Sequence, residues 1–316
     1  GSIIGDTHLD SKLTTPDPID LQRTLRQMAD AGVQIVCMEV SAHAIDMCRL
    51  DGMEFDIGVY TNLSQDHLDY FYTMERYFET KKQFFMSGMV MNASCNADDE
   101  TSRQLIEDLK VPYITFGIVA HKEENISEPL TVSVKDIAAI LVDRGVEPEK
   151  IRAGLEAVKA VPGRIEMLQT GTPYKVILDY SHAPEALKNI LKTVRQFTRN
   201  RVIAVFGCGG DRDKGKRPMM GEIGGKLADY CILTSDNPRT ENPMVILAAI
   251  EKGIKPTGGK YEVIENRRDA IRRAMEMAEE GDIIVLAGKG NETYQEIMGV
   301  KRPFDEKVIV REILRE

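Results

Sequence analysis

Residues 62–81, NLSQDHLDYFYTMERYFETK, place two carboxylates around one imidazole, Asp66-His67-Leu68-Asp69, and follow them with a lysine. Carboxylate and imidazole donors at the end of an apolar run suit a hard divalent cation, and Mg²⁺ keeps positions open for substrate phosphates. The plainer alternative is that His67 caps the following turn. Met74, Tyr77, Phe78, Phe84 and Phe85 recur at spacings of three and four, which predicts a helix from near Thr73 with one apolar face. Lys81 falls on that face, whereas Lys82 points away. An inward ammonium is unfavourable unless it is paired, neutralised or modified. The alternative is a stem that lies along the core while the charge reaches water.

Other chemistry-bearing residues close apolar runs. Val33 to Val40 reads as a buried parallel strand ending at Glu39, and residues 56–63 as a second one ending at Asn62. Together they would bring Glu39 and His67 to one sheet edge, where open α/β sheets gather ligands. Gly207-Cys208-Gly209-Gly210 is either an anion-binding nest or an ordinary tight turn. Asp236-Asn237-Pro238-Arg239 is either a capped turn or a site where Arg239 offers a planar fork to a carboxylate while Asp236 and Asn237 accept from an amine. Arg212, Arg239 and Glu292 fall in strand-end loops of one sheet and could converge on a zwitterion.

The elements that must position these residues follow a βα rhythm. Asp17-Pro18 opens a helix lined by Leu21, Leu25 and Met28 that stops at Gly32. Strands are expected at 88–92 and 113–116, and helices over 99–109, 135–145 and 148–158. Val161-Pro162-Gly163-Arg164 is a turn signal between two periodic regions. It sets the expected domains at 1–162 and 163–316. Beyond it, strands at 175–180, 202–206, 231–234, 261–265 and 282–287 alternate with helical segments. The fold class is therefore α/β, with a C-terminal Rossmann-like domain built on a mainly parallel sheet.

The chain has 316 residues, 42% of them hydrophobic, which suits two cores. A net charge of −9 gives no support for nucleic-acid or anionic-membrane binding. No apolar run is long enough to cross a bilayer, and no signal peptide is evident. Five widely spaced cysteines read as reduced core thiols of a cytoplasmic protein, without a CxxC metal site. The start at Gly1-Ser2 reads as a trimmed chain.

The strings LTTPDPIDL, MEVSAHA, TNLSQDHLDY, YFETKKQFF, VPGRIE, DYSHAPEAL, FGCGGDRDKGKRPMMG, SDNPRTENP and GKGNETYQ, in that order, resemble the Mur ligase family across nearly the whole chain. Asp236-Asn237-Pro238-Arg239 is similar to the form found in members that add meso-diaminopimelate rather than lysine. The resemblance implies a central ATPase-type domain followed by the C-terminal domain, and ATP-dependent amide formation through an acyl phosphate. It implies that Thr14, Thr15, Ser41 and Arg49 contact UDP-MurNAc-L-Ala-D-Glu. It implies that Glu39, His67 and a carbamylated Lys81 hold Mg²⁺, and that these three residues are catalytic. Arg164, Asp179 and His182 would lie near ATP. Arg212, Asp236, Asn237, Arg239, Gly288 and Glu292 would bind meso-diaminopimelate. No membrane or nucleic-acid partner is implied, and the protein is expected to be a monomer.

The sequence also departs from the family. No P-loop of the form TGTNGKTT precedes Thr14, and no N-terminal UDP-binding domain is present in these residues. The central domain is therefore expected to be truncated, and these residues alone are not expected to ligate. The region 117–135 is short, without an evident nucleotide-contacting asparagine, and Met47-Cys48 replaces polar residues common in the family. Rival readings are a folylpolyglutamate-type ligase and a non-catalytic binding module derived from a ligase.

Overall fold

A computed structural model describes residues 2–5, 7–9, 11, 13–116, 147–157 and 161–316. The chain divides into two compact units, Gly1–Leu63 with Phe71–Ile151, and Ser64–Tyr70 with Arg152–Glu316. The turn at 161–164 lies inside the second unit. The helix expected at 135–145 and the shortened region at 117–135 fall outside the described residues.

The first unit opens with an antiparallel hairpin, β1 (Ser2–Ile4) and β2 (Thr7–Leu9). Helix α1 (Pro18–Asp30) starts at Asp17 with Pro18 in its first turn, where a missing N–H does no harm. The short α2 (Ala42–Asp46) is capped by the Ser41 side chain. Strands β3 (Gly58–Tyr60), β4 (Ala93–Asn96) and β5 (Tyr113–Phe116) form a parallel sheet in that order. After α3 (Leu68–Phe71), Thr73 caps α4 (Met74–Met86), and Asp99 caps α5 (Glu100–Asp108). The α4 face at Tyr77, Phe78, Phe84 and Phe85 is buried as its spacing predicts; Phe78, Phe84 and Phe85 pack with Leu50, Tyr60 and Leu105, and Tyr77 stacks on Phe71. Lys82 is not simply turned outward: its ammonium sits 2.5 Å from Asp108 and 5.9 Å from the centre of the Phe78 ring.

Two strand expectations are corrected. Residues 33–40 form no strand among the described residues, and Ile35 and Val36 are exposed. An apolar run becomes a strand only where a neighbour takes its N–H and C=O groups, and no described segment pairs with it. The strand expected at 88–92 begins instead at Ala93; Val90 makes only an isolated bridge to Phe55. Of the five cysteines, Cys95, Cys208 and Cys231 are buried, but Cys37 and Cys48 are exposed. Loss of the 33–40 ladder explains the exposure of Cys37.

The second unit, entered through α6 (Pro148–Ala157), carries a six-stranded sheet of order β10-β9-β8-β11-β7-β6. Its strands are β6 (Glu166–Leu168), β7 (Lys175–Asp179), β8 (Val202–Phe206), β9 (Tyr230–Leu233), β10 (Tyr261–Val263) and β11 (Ile283–Ala287). All neighbours pair in parallel except the antiparallel β6–β7 edge. The five expected strands are present, and β6 is an addition.

Side chains alternate across this sheet. Ile177, Ala204, Phe206, Leu233 and Val285 pack with α7 (Pro184–Arg195), α8 (Lys216–Leu227) and α9 (Pro243–Ile254). Val176, Leu178, Ile203, Val205, Ile232 and Leu286 face α10 (Arg267–Met277) and α11 (Glu306–Ile313). Both faces are buried, which is why the strands read as continuous apolar runs. A hairpin, β12 (Tyr294–Ile297) and β13 (Val300–Pro303), turns through Met298 and Gly299, both with positive φ. Among the described residues no helix is long and apolar enough to cross a membrane.

Candidate functional site

In the first unit, Thr15 organises one cluster. It is buried; its hydroxyl donates to Glu39 O at 2.9 Å and accepts the Ser41 N–H at 3.0 Å, with Ser41 Oγ 3.3 Å away. Arg49 donates to Thr15 O at 3.2 Å and lies 3.5 Å from Asp17. Thr15, Ser41 and Arg49 are thus brought together, with Thr14 exposed beside them. The Thr15 hydroxyl is committed to holding the Ser41 backbone.

Lys81 is half-buried on α4. Its Nζ donates to Asn62 O at 3.2 Å and lies 5.0 Å over the Tyr77 ring. Burial lowers its pKa below the ordinary lysine value, while the Asp99 and Glu39 carboxylates pull it back up. The Glu39 side chain is exposed and near enough to Lys81 to act on its charge. His67 belongs to Ser64–Tyr70, which is counted with the second unit. It has a left-handed φ of 58°, and its N–H donates to Asp66 Oδ1 at 2.9 Å.

Asp66, one of the carboxylates that the sequence offers to a cation beside His67, is engaged by cationic side chains of the protein itself. Buried, it receives Lys216 Nζ at 2.9 Å and faces His182 Nε2 at 3.5 Å. Burial alone would raise its pKa, but His182, Lys216 and His67 outweigh that and hold it well below the carboxylate range. Gln65 donates to Asp213 at 3.0 Å beside it. Lys216, buried at the start of α8, was hidden in sequence by its place in a charged run.

Three residues gather at the end of β7. Asp179 is buried, accepts the Ile165 N–H at 2.8 Å and is hydrogen-bonded by Ser181. The Arg164 guanidinium lies 5.0 Å over the Tyr180 ring, and His182 Nδ1 is 2.8 Å from Tyr180 O. Arg164, Asp179 and His182 therefore surround Tyr180.

The ends of β8, β9 and β11 carry a hydrogen-bonded polar cluster. Arg239, with a φ of 51°, donates from Nη1 to Gly210 O at 2.7 Å and lies 3.6 Å from Glu296. Arg212 and Arg239 both flank Gly209. Asp236 is buried; Oδ1 accepts the Asn237 N–H at 2.7 Å, and Oδ2 has no hydrogen-bond partner among the described residues. Burial alone would raise its pKa, but Lys289, Arg267 and the Asn237 N–H lower it below the usual value. Asn237 Nδ2 donates to Glu292 Oε2 at 2.9 Å. Gly288 adopts a φ of 115° directly against Asp236.

The loops bearing the two arginines are laced together by residues that sequence reasoning missed. Arg217 makes a bidentate pair with Glu241, at 3.0 and 2.7 Å, and Glu241 also accepts the Asp211 N–H at 2.7 Å. Lys289, Gln295 and Glu296 brace Asn237 and Asp236 from beneath. A lysine directly after a strand end was the available signal for Lys289; nothing local marks Glu241. Two guanidinium groups and two carboxylates in one strand-end cluster can hold a molecule carrying both carboxylate and ammonium.

The family models for the Mur ligase middle domain and the Mur ligase glutamate ligase domain match residues 1–143 and 163–290. The UDP-N-acetylmuramoyl-L-alanyl-D-glutamate–2,6-diaminopimelate ligase of Caldanaerobacter subterraneus subsp. tengcongensis is 45% identical over 100% of this chain and 71% of its own length. A solved structure of a ligase of the same name is 34% identical, with a TM-score of 0.53, covering 95% of this chain and 68% of the other. Mycobacterium tuberculosis folylpolyglutamate synthase, at 18% identity, shares the fold with a TM-score of 0.53 over 73% of this chain and 61% of its own. With such likeness over its whole length, the chain belongs to the Mur ligase family.

Proposed function

We propose that the protein is an ATP-dependent amide ligase that joins meso-2,6-diaminopimelate to UDP-MurNAc-L-Ala-D-Glu in peptidoglycan precursor synthesis. The observation that carries this reading is the cluster of Arg212, Arg239, Asp236 and Glu292, in a chain 45% identical to a ligase named for that reaction. The substrate carboxylate takes the γ-phosphoryl group of ATP with loss of ADP. The diaminopimelate amine then attacks the acyl phosphate, and phosphate leaves.

Thr14, Ser41 and Arg49 contact the UDP-linked substrate in this reading, while Thr15 holds Ser41 in place. Arg164, Asp179 and His182 serve the nucleotide. Within the first unit, Glu39 and a carbamylated Lys81 would hold Mg²⁺. The donor chemistry fits, because desolvation disfavours the Lys81 ammonium and carbamylation turns that lysine into an oxygen ligand beside an exposed carboxylate. When bound, Mg²⁺ supplies charge neutralisation at phosphate oxygens. Asp236 and Glu292, beside Gly288, take the ammonium end of the amino acid, and Arg212, Arg239 and the free Asn237 Nδ2 N–H its distal carboxylate.

Titration calorimetry of the 316-residue protein with meso-diaminopimelate, L-lysine and L-glutamate tests the reading. The expected result is binding of diaminopimelate at least tenfold tighter than either competitor. Preference for glutamate would favour a folylpolyglutamate-type ligase, and binding of none of the three would remove the amino-acid site.

A further inference from the structure

Lys289 is the one lysine whose side chain is fully buried among the described residues that the proposed reaction leaves without a role. Its Nζ donates to Glu292 Oε2 at 2.9 Å and to Asn237 Oδ1 at 3.1 Å. Asn237 Nδ2 donates to the same Glu292 Oε2 at 2.9 Å, which closes a three-membered ring of hydrogen bonds. The rings of Tyr294 and Phe304 lie 5.8 and 5.9 Å from the ammonium, so its remaining side is apolar.

The ring fixes the Asn237 carboxamide by chemistry alone. Its Oδ1 meets two donors, Lys289 Nζ and the Glu296 N–H at 2.9 Å. A flipped amide would set N–H against N–H at both places, and it would turn its oxygen toward the Glu292 carboxylate. Only one orientation survives. Glu292 is fixed in the same way. Oε2 takes both donors, and Oε1 makes no hydrogen bond among the described residues. One carboxylate oxygen and one amide N–H are thereby left in set directions.

We propose that Lys289 is a positioning residue that locks Asn237 and Glu292, so that Glu292 Oε1 accepts from the ammonium of the incoming amino acid and the free Asn237 Nδ2 N–H donates to its distal carboxylate. This rests on the amino-acid site proposed above. Lys289 does not touch the substrate in this account; it acts through the two residues that do. Without it, the amide can rotate and the carboxylate swing, so the binding groups must be ordered again each time a ligand arrives.

The test compares wild type with Lys289→Met, which keeps the stem and removes the donors, and with Lys289→Gln, which restores a shorter neutral donor. Diaminopimelate affinity is measured by calorimetry well below the melting temperature of each protein. The Asn237 side-chain amide signals are followed by ¹⁵N NMR without ligand. The expected result is at least a tenfold loss of affinity in Lys289→Met, a smaller loss in Lys289→Gln, and displaced or broadened Asn237 signals in the methionine variant. Affinity within twofold of wild type in Lys289→Met, or unmoved Asn237 signals, would overturn the assignment. If wild type binds no diaminopimelate, the amino-acid reading itself fails. The ligand-free Asn237 signals would then still report whether the lock exists.

Discussion

A Cβ placed on Gly288 would lie 2.6 Å from Oδ2 of Asp236, the buried carboxylate oxygen that has no hydrogen-bond partner among the described residues. Gly288 also holds a φ of 115°, where side chains are strained by roughly 1–3 kcal/mol. Gly288→Ala should therefore push Asp236 aside and weaken diaminopimelate binding at least tenfold. It should also lower the melting temperature. Calorimetry and a thermal melt on the same sample check both, and an alanine variant that binds as wild type would remove Asp236 from the site.

Lys81 is expected to carry a carbamate, because desolvation favours its neutral amine, the form that reacts with CO₂. Protein equilibrated with ¹³C-bicarbonate should show a carbamate carbon resonance that Lys81→Met lacks. An identical spectrum from the methionine variant would make Lys81 a core lysine only.

Glu241 sets a pH dependence. Its pairing with Arg217 lowers its carboxyl from 4.5 to about 2. The folded-state pKa is depressed, so the unfolded chain binds the proton more readily between these values. Stability from this group is complete above about pH 4.5 and is lost as pH falls toward 2. Glu241→Gln should flatten that part of the curve in urea melts at successive pH values. An unchanged slope would mean that other carboxylates govern acid unfolding.

Arg267 and Glu306 form a fully buried pair at 2.8 Å, with Arg267 also donating to Ala287 O at 2.9 Å. Glu306→Gln should cost about 3–5 kcal/mol by leaving the guanidinium without its counter-charge. The double change Arg267→Met with Glu306→Leu should recover most of that loss. Denaturant unfolding of the single and double variants measures it, and a single variant as stable as wild type would contradict the pairing.

The second unit was legible because its strands are buried on both faces and short, so apolar runs at 175–180, 202–206 and 282–287 carry the whole signal. The same logic failed at 33–40. An apolar run shows burial preference but not the partner strand that makes a ladder, and Ile35 is exposed. Strand-end motifs led to Asp236, Asn237, Arg239 and Glu292, because loops at the ends of parallel strands converge whatever their sequence separation. The long-range pairs Asp66–Lys216 and Arg217–Glu241 were not legible. Each joins two charged residues whose local setting looks solvated, and only the fold reveals that they are buried together.

Arg239 is expected to read the distal carboxylate of diaminopimelate. Lysine lacks that carboxylate, and leaving one partner of a desolvated charge pair unmatched costs about 2–5 kcal/mol, which is roughly thirtyfold to several thousandfold in affinity. The decisive measurement is the ratio of binding constants for meso-diaminopimelate and L-lysine in wild type and in Arg239→Ala. The expected ratio is at least thirty in wild type and falls toward one in the variant, mainly through weaker diaminopimelate binding. A wild-type ratio near one, or a ratio that the substitution leaves unmoved, would contradict it.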